Sequence, residues 1–179
     1  MSGPTIGPAD PNARPRPLPA SWRRSEKSWA WDVASLCQVG GAGGVGGGVF
    51  FFNFRSGSLV ETFLFVAAGL GVGGSVGGAS LPDFHTGRIS YSPLTVRRAF
   101  SVYDLDMSPG TLTSAGVGLA EGYTLLRISA FNLGGILFEP SDCSGWSAGV
   151  ALGLYGMAGY WRSLSVGTAA MDEQMRRSL

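Results

Sequence analysis

The sequence predicts an all-β fold, a compact antiparallel barrel or sandwich of about eight strands, and three observations carry that prediction. From Trp29 onward, apolar residues recur mostly at every second position, the period of a strand with one face buried. Turn-forming clusters interrupt this pattern at Arg55-Ser56-Gly57-Ser58, at Pro82 and Gly87, and at Pro109-Gly110. The 29 glycines in 179 residues fall repeatedly at alternate positions, so that several segments carry one bare face. Charged residues make up only 14% of the chain, well under the share of about 25% in an average globular domain.

The first 27 residues stand apart. Six of the ten prolines lie in the first nineteen positions, without a periodic apolar face and without the apolar core of a secretory signal. Residues 1–27 are therefore expected to be a disordered Pro/Arg-rich arm. Residues 28–170 are expected to form the glycine-rich β-domain, and 171–179, "MDEQMRRSL", a short tail or helix with early acids and late arginines. Without a signal, the expected location is cytoplasmic, or outside by a signal-independent route.

Along the core, "WAWDVASLC" alternates Trp29, Trp31, Val33 and Cys37 with Ala30, Asp32, Ala34 and Leu36, as a half-buried strand does. "VFFFNFRSGSLVETFLFV" places two aromatic runs around Arg55-Ser56-Gly57-Ser58, which predicts a hairpin. "LTVRRAFSVYDLD" is read as a strand, "MSPGTL" as a turn at Pro109-Gly110, and "EPSDCSG" as a loop before the last strand, "WSAGVALGLYGMAGYWRSLSV".

Glycine supplies the most distinctive pattern. Gly69, Gly71 and Gly73 alternate with Leu70 and Val72; Gly116 and Gly118 alternate with Val117 and Leu119; Gly149, Ala151 and Gly153 alternate with Val150, Leu152 and Leu154. A bare strand face is expected where another backbone approaches closely or where strands coil sharply in a small barrel. The same residues support a rival reading. Gly40, Gly44 and Gly48, then Gly69, Gly73 and Gly77, then Gly145, Gly149 and Gly153 have the four-residue spacing of a glycine zipper, each in a charge-free run close to the length of a membrane-spanning helix. Strands are preferred because each glycine costs a helix in water up to about 1 kcal/mol relative to alanine. The zipper leaves open a membrane-inserting toxin or pore component.

Charge and chemistry exclude several classes. Residues 28–170 carry six arginines against eight acids, with no basic stripe to neutralise phosphates, so nucleic acid is not an expected partner. Cys37 and Cys143 are too few for a zinc site or a disulfide scaffold; they are buried thiols or a single bridge. The one histidine, His85, sits in "LPDFHTGR", where Asp83 or Cys143 would have to partner it to make a base or nucleophile. Asp104 and Asp106 would share a face of a strand and could meet a cation, but no further oxygen ligands are spaced nearby. "GAGGVGGG" matches the dinucleotide-loop spacing at Gly41, Gly43 and Gly46 only because almost every position in that tract is glycine. No catalytic, cofactor-binding or metal site is expected.

From Glu61 to Trp161 the order "FLFVAAGLGVGGSVGG", "ISYSPLTVRRAFSVYDLD", "WSAGVALGLYGMAGYW" resembles the β-barrel domain of the virulence-associated (Vap) proteins of Rhodococcus. That resemblance implies a closed eight-stranded antiparallel barrel behind a disordered arm, without catalytic residues, acting at membranes. The absence of a signal peptide departs from the secreted members. The function expected from the residues and the resemblance together is non-enzymatic binding, at a membrane surface or to a protein partner. A lipocalin-like carrier of a small apolar ligand is the second alternative, in which the glycine face would open on a cavity instead of being filled by aromatic side chains.

Overall fold

The computed structural model describes residues 20–41, 44–76, 78–81, 89–118, 121–148 and 150–165. Its elements in chain order are α1 (Ala20–Ser25), β1 (Asp32–Gly41), β2 (Gly44–Ser56), β3 (Leu59–Val76), β4 (Gly78–Leu81), β5 (Ser92–Pro93), α2 (Val102–Leu105), β6 (Pro109–Gly118), β7 (Glu121–Asn132), β8 (Gly135–Ala148) and β9 (Val150–Ser163). The sheet runs β2-β3-β9-β6-β7-β8-β4-β1, every contact between neighbours antiparallel, and β1 pairs again with β2. Eight strands thus close on themselves, and the two-residue β5 adds to β1. The link through β4 is the thin point, with two residue pairs on each side.

Alternation places the core. Phe50, Phe52 and Phe54 of β2, Phe63 and Phe65 of β3, Leu112 of β6, Leu126 and Ile128 of β7 and Trp161 of β9 all point inward and are buried. Trp161 sits among Phe52, Phe54, Phe65 and Phe138 with ring centroids 4.7–6.2 Å apart, and Trp31 stacks on Phe100 at 5.0 Å. Each such ring contributes about 1.5–3 kcal/mol by leaving water. The tryptophan N–H groups are satisfied, Trp161 Nε1 by Ser129 O and Trp31 Nε1 by Phe100 O.

The predicted hairpin forms where expected, with β2 and β3 in continuous register from Ser56↔Leu59 to Gly44↔Gly71 and Gly57 at φ 57° in the turn. Four expectations need correction. The arm does not extend to Lys27: Ala20–Ser25 are helical, and Arg24 reaches the buried Glu61 of β3, which also accepts a hydrogen bond from Ser165. "LTVRRAFSVYDLD" is not a strand, because Ser101 and Asp104 form a capping box: Asp104 N donates to Ser101 Oγ (3.3 Å), Ser101 N donates to Asp104 Oδ2 (2.9 Å), and α2 starts there. The turn lies before Pro109, at Asp106-Met107, with Met107 at φ 62° and its N–H bonded to Trp161 O; Pro109 opens β6. "EPSDCSG" lies inside β8, where Ser141 and Cys143 face inward and Asp142 faces outward toward Arg127. The Pro-rich arm up to residue 19 and the 171–179 tail lie outside the described residues.

Candidate functional site

The glycines mark one half of the barrel, the half that ends at the β1–β2, β6–β7 and β8–β9 connections. On β3 the inward positions run Phe63, Phe65, Ala67, Gly69, Gly71, and on β9 they run Trp161, Gly159, Met157, Tyr155, Gly153. A Cβ on Gly69 would collide with the Gly156 carbonyl oxygen and stand 2.6 Å from Met157 Cα. One on Gly71 would enter the Tyr155 ring and stand 2.8 Å from Leu154 O. Real Cβ atoms do not approach so closely, so β3 and β9 can adopt this mutual curvature only with glycine at these points. Gly159 has the reciprocal relation, 2.8 Å to Ala67 Cα. Gly73, Gly153 and Gly116 lie side by side across β3, β9 and β6, and Gly153, at φ 141°, has a backbone that L side chains rarely adopt. Gly118 pairs with Gly122 at the end of β6, and Gly149 lies outside the described residues.

Aromatic rings occupy the space over one inward glycine in each half of the barrel. Tyr155 covers Gly71, while Trp161 Nε1 and Phe65 Cε2 would lie 2.6 and 3.3 Å from a Cβ on Gly110. On the predicted glycine face, Gly71 is thus covered by an aromatic side chain. The runs with zipper spacing are strands in every described part, and no described helix is long and apolar enough to cross a membrane.

With glycine turned inward, the alternating aliphatic residues face out. Val45 (81% exposed), Leu70 (67%), Leu154 (65%) and Val117 (75%), with Tyr123 and Leu125, form one patch over β2, β3, β9, β6 and β7. Val45 lies opposite Leu70, Leu154 opposite Ala115, and Val117 opposite Tyr123. Gly156 leaves open space among them. Five adjacent strands at about 4.8 Å spacing make the patch about 19 Å wide. Cations border it toward the α2 end: Arg127 follows Leu125 on the outer face of β7, and Arg162 follows Tyr160 on that of β9. The sequence shows the alternation and points to the glycine face as the packed one, but it does not assemble the outer aliphatic residues of five strands into one patch.

The groups considered for catalysis are not brought together. Asp104 caps α2, and Asp106 Oδ1 accepts the Ser163 N–H at 2.7 Å, so the two carboxylates serve different elements. Burial by itself would raise the Asp104 carboxyl, but hydrogen bonds from Ser101 and the Lys27 ammonium 3.6 Å away outweigh it and hold the carboxyl below its ordinary range. Cys143 is a free thiol, buried among core residues and pushed up to about 12 by that burial and by neighbouring Asp142, which makes it a poor nucleophile at neutral pH. His85 lies outside the described residues, as does the side chain of Cys37. Among the described residues, no three His, Cys, Asp or Glu side chains are grouped to hold a metal ion. No protein-family model, curated protein or solved structure matches this chain.

Proposed function

We propose that the protein is a non-enzymatic binding barrel that acts at a membrane surface through the outer wall of its glycine-rich half. The observation that carries this reading is the patch of Val45, Leu70, Leu154 and Val117, with Tyr123 and Leu125, exposed across five strands. An apolar patch of this extent is a recognition surface, not an ordinary scatter of exposed side chains. Its aliphatic groups offer nothing for a partner to hydrogen-bond, which suits lipid chains. The order from aliphatic residues to Tyr160 and Arg162 along β9, and from Leu125 to Arg127 along β7, follows the passage from hydrocarbon to headgroup at an interface. The patch lies on the wall of the barrel, so the barrel would rest on its side.

Vesicle flotation tests the reading. The wild-type chain should float with phosphatidylcholine vesicles and more strongly with vesicles that also contain phosphatidylglycerol, while the double variant Leu70→Asp/Leu154→Asp should remain at the bottom with an unchanged melting transition. Wild-type protein that stays unbound to both kinds of vesicle, or a double variant that floats equally well, would refute it.

A further inference from the structure

The opposite end of the barrel holds a site of different chemistry. Two open clefts of about 620 and 400 Å³ adjoin there, sharing Asp104, Asn132 and Leu133. The larger is lined also by Lys27, Arg98 and Tyr103, the smaller by Met107, Pro109 and Phe131. Between them stands the β7–β8 turn, with Leu133 fully exposed at its tip and Phe131 and Met107 exposed beside it.

Three described arginines have no carboxylate within ion-pair distance, and of these Arg23 donates to Ser58 Oγ and Arg162 to Met107 Sδ at exposed sites, whereas Arg98 is held at a part-buried one. Arg24, Arg55, Arg97 and Arg127 are paired with Glu61, Asp32, Glu139 and Asp142, and Lys27 with Asp104. Arg98 has no carboxylate within ion-pair distance among the described residues. Its Nη2 donates to Asn132 Oδ1 at 2.7 Å, and its Nε is buried without a partner. The guanidinium lies so close to the turn that a Cβ on Gly134 would overlap Nη1 and stand 2.8 Å from Cζ. Gly134 is held in turn, its N–H donating to the same Asn132 oxygen at 2.9 Å. The turn thus fixes a positive charge in place, and the acids that line the two clefts are already engaged, Asp104 with Ser101 and Lys27, Asp106 with the Ser163 N–H.

A fixed, partly buried guanidinium with no carboxylate partner among the described residues attracts a carboxylate, for which its planar fork is the geometric match. The apolar ledge of Met107, Phe131 and Leu133 beside it attracts an apolar side chain. We propose that this double cleft binds the C-terminus of a partner polypeptide ending in an apolar residue. A chain end presents both groups on one residue, its carboxylate to Arg98 and its last side chain to the Leu133 ledge. Because Arg98 is already held, little ordering is needed on binding.

Fluorescence anisotropy of the full chain with a labelled hexapeptide ending in leucine tests the site, the peptide being supplied as free acid and as C-terminal amide at concentrations up to the millimolar range. The free acid should bind at least tenfold more tightly than the amide. Arg98→Gln should abolish that difference, and its melting transition will show whether the turn survives. Leu133→Ser, at a fully exposed position that cannot unsettle the core, should weaken the free acid at least threefold. Equal binding of acid and amide, no binding of either, or free-acid binding that Leu133→Ser leaves unchanged would each overturn the proposal. Binding of dodecanoate without binding of the peptide would assign the cleft to a fatty acid and overturn it as well.

Discussion

Strands β3 and β9 cross both halves of the barrel and serve opposite purposes in each. Toward α2 they point Phe63, Phe65 and Trp161 inward, and the interior there is a continuous aromatic cluster. Toward the β8–β9 connection the same alternation points Gly69, Gly71 and Gly153 inward, and the neighbouring backbone occupies the space where side chains would stand. Stability is thus concentrated at one end, where side chains fill the barrel. At the other end the wall gives up side-chain packing to bend, and its larger apolar groups face outward. One two-residue period can therefore build a core or a binding surface, depending on which set of positions carries the bulk.

Substitutions can break or sharpen this contrast. The largest effect belongs to the aromatic half: Phe54 is fully buried against Trp31, Phe63, Phe138 and Trp161, so Phe54→Ala should cost about 3–5 kcal/mol in urea denaturation. A loss below about 1 kcal/mol would show that this half is not where stability resides. In the glycine half, the damage should come from adding atoms. Gly71→Val would drive two methyl groups toward the Tyr155 ring and Leu154 O, and should cost about 1–3 kcal/mol despite the better strand propensity of valine.

The smallest effect is expected at the α2 cap. Ser101→Ala removes the hydroxyl that accepts the Asp104 N–H and donates to the Asp104 carboxylate, for a loss of about 1 kcal/mol at neutral pH. Because the folded protein holds the Asp104 carboxyl below its ordinary value of 3.8, its contribution is complete above that value and fades as the pH falls through the lowered one. The gap between the denaturation midpoints of the wild type and the variant should therefore narrow as the pH falls through the lowered value of the Asp104 carboxyl. A gap that stays constant with pH would separate the cap from the titration.

Much of the barrel was legible in the sequence because period two survives wherever strands have one wet face, and the β2–β3 hairpin is announced by "RSGS" between aromatic runs. The misread pieces are those in which local hydrogen bonds compete with that period. Ser101 and Asp104 carry the spacing of a capping box inside a stretch that also alternates, and the cap prevailed. Ser141, Asp142 and Cys143 look like loop residues, but Ser141 and Cys143 are small enough to turn inward beside β7 while Asp142 faces out. Register slips between Ser35 and Cys37 and around Ala130 left no mark in the composition. The glycine face was expected to be the packed one, but the alternate positions left outside were not followed up, and so the outer patch escaped notice. Arg98 escaped as well, since its lack of a carboxylate partner depends on where the β7–β8 turn comes to rest.

The most direct measurement compares two neighbouring glycines on opposite faces of the same wall. Gly69 points inward against the Gly156 carbonyl and Met157 Cα, whereas Gly156 points outward, and a Cβ there would meet nothing within 4 Å. Both substitutions to alanine add one methyl group and restrict the unfolded chain equally. Urea denaturation should show Gly69→Ala destabilised by about 1–3 kcal/mol, with Gly156→Ala unchanged or stabilised by up to about 1 kcal/mol. Equal losses at the two positions, or a stable Gly69→Ala, would contradict the claim that the inward glycines exist to let β3 and β9 come together.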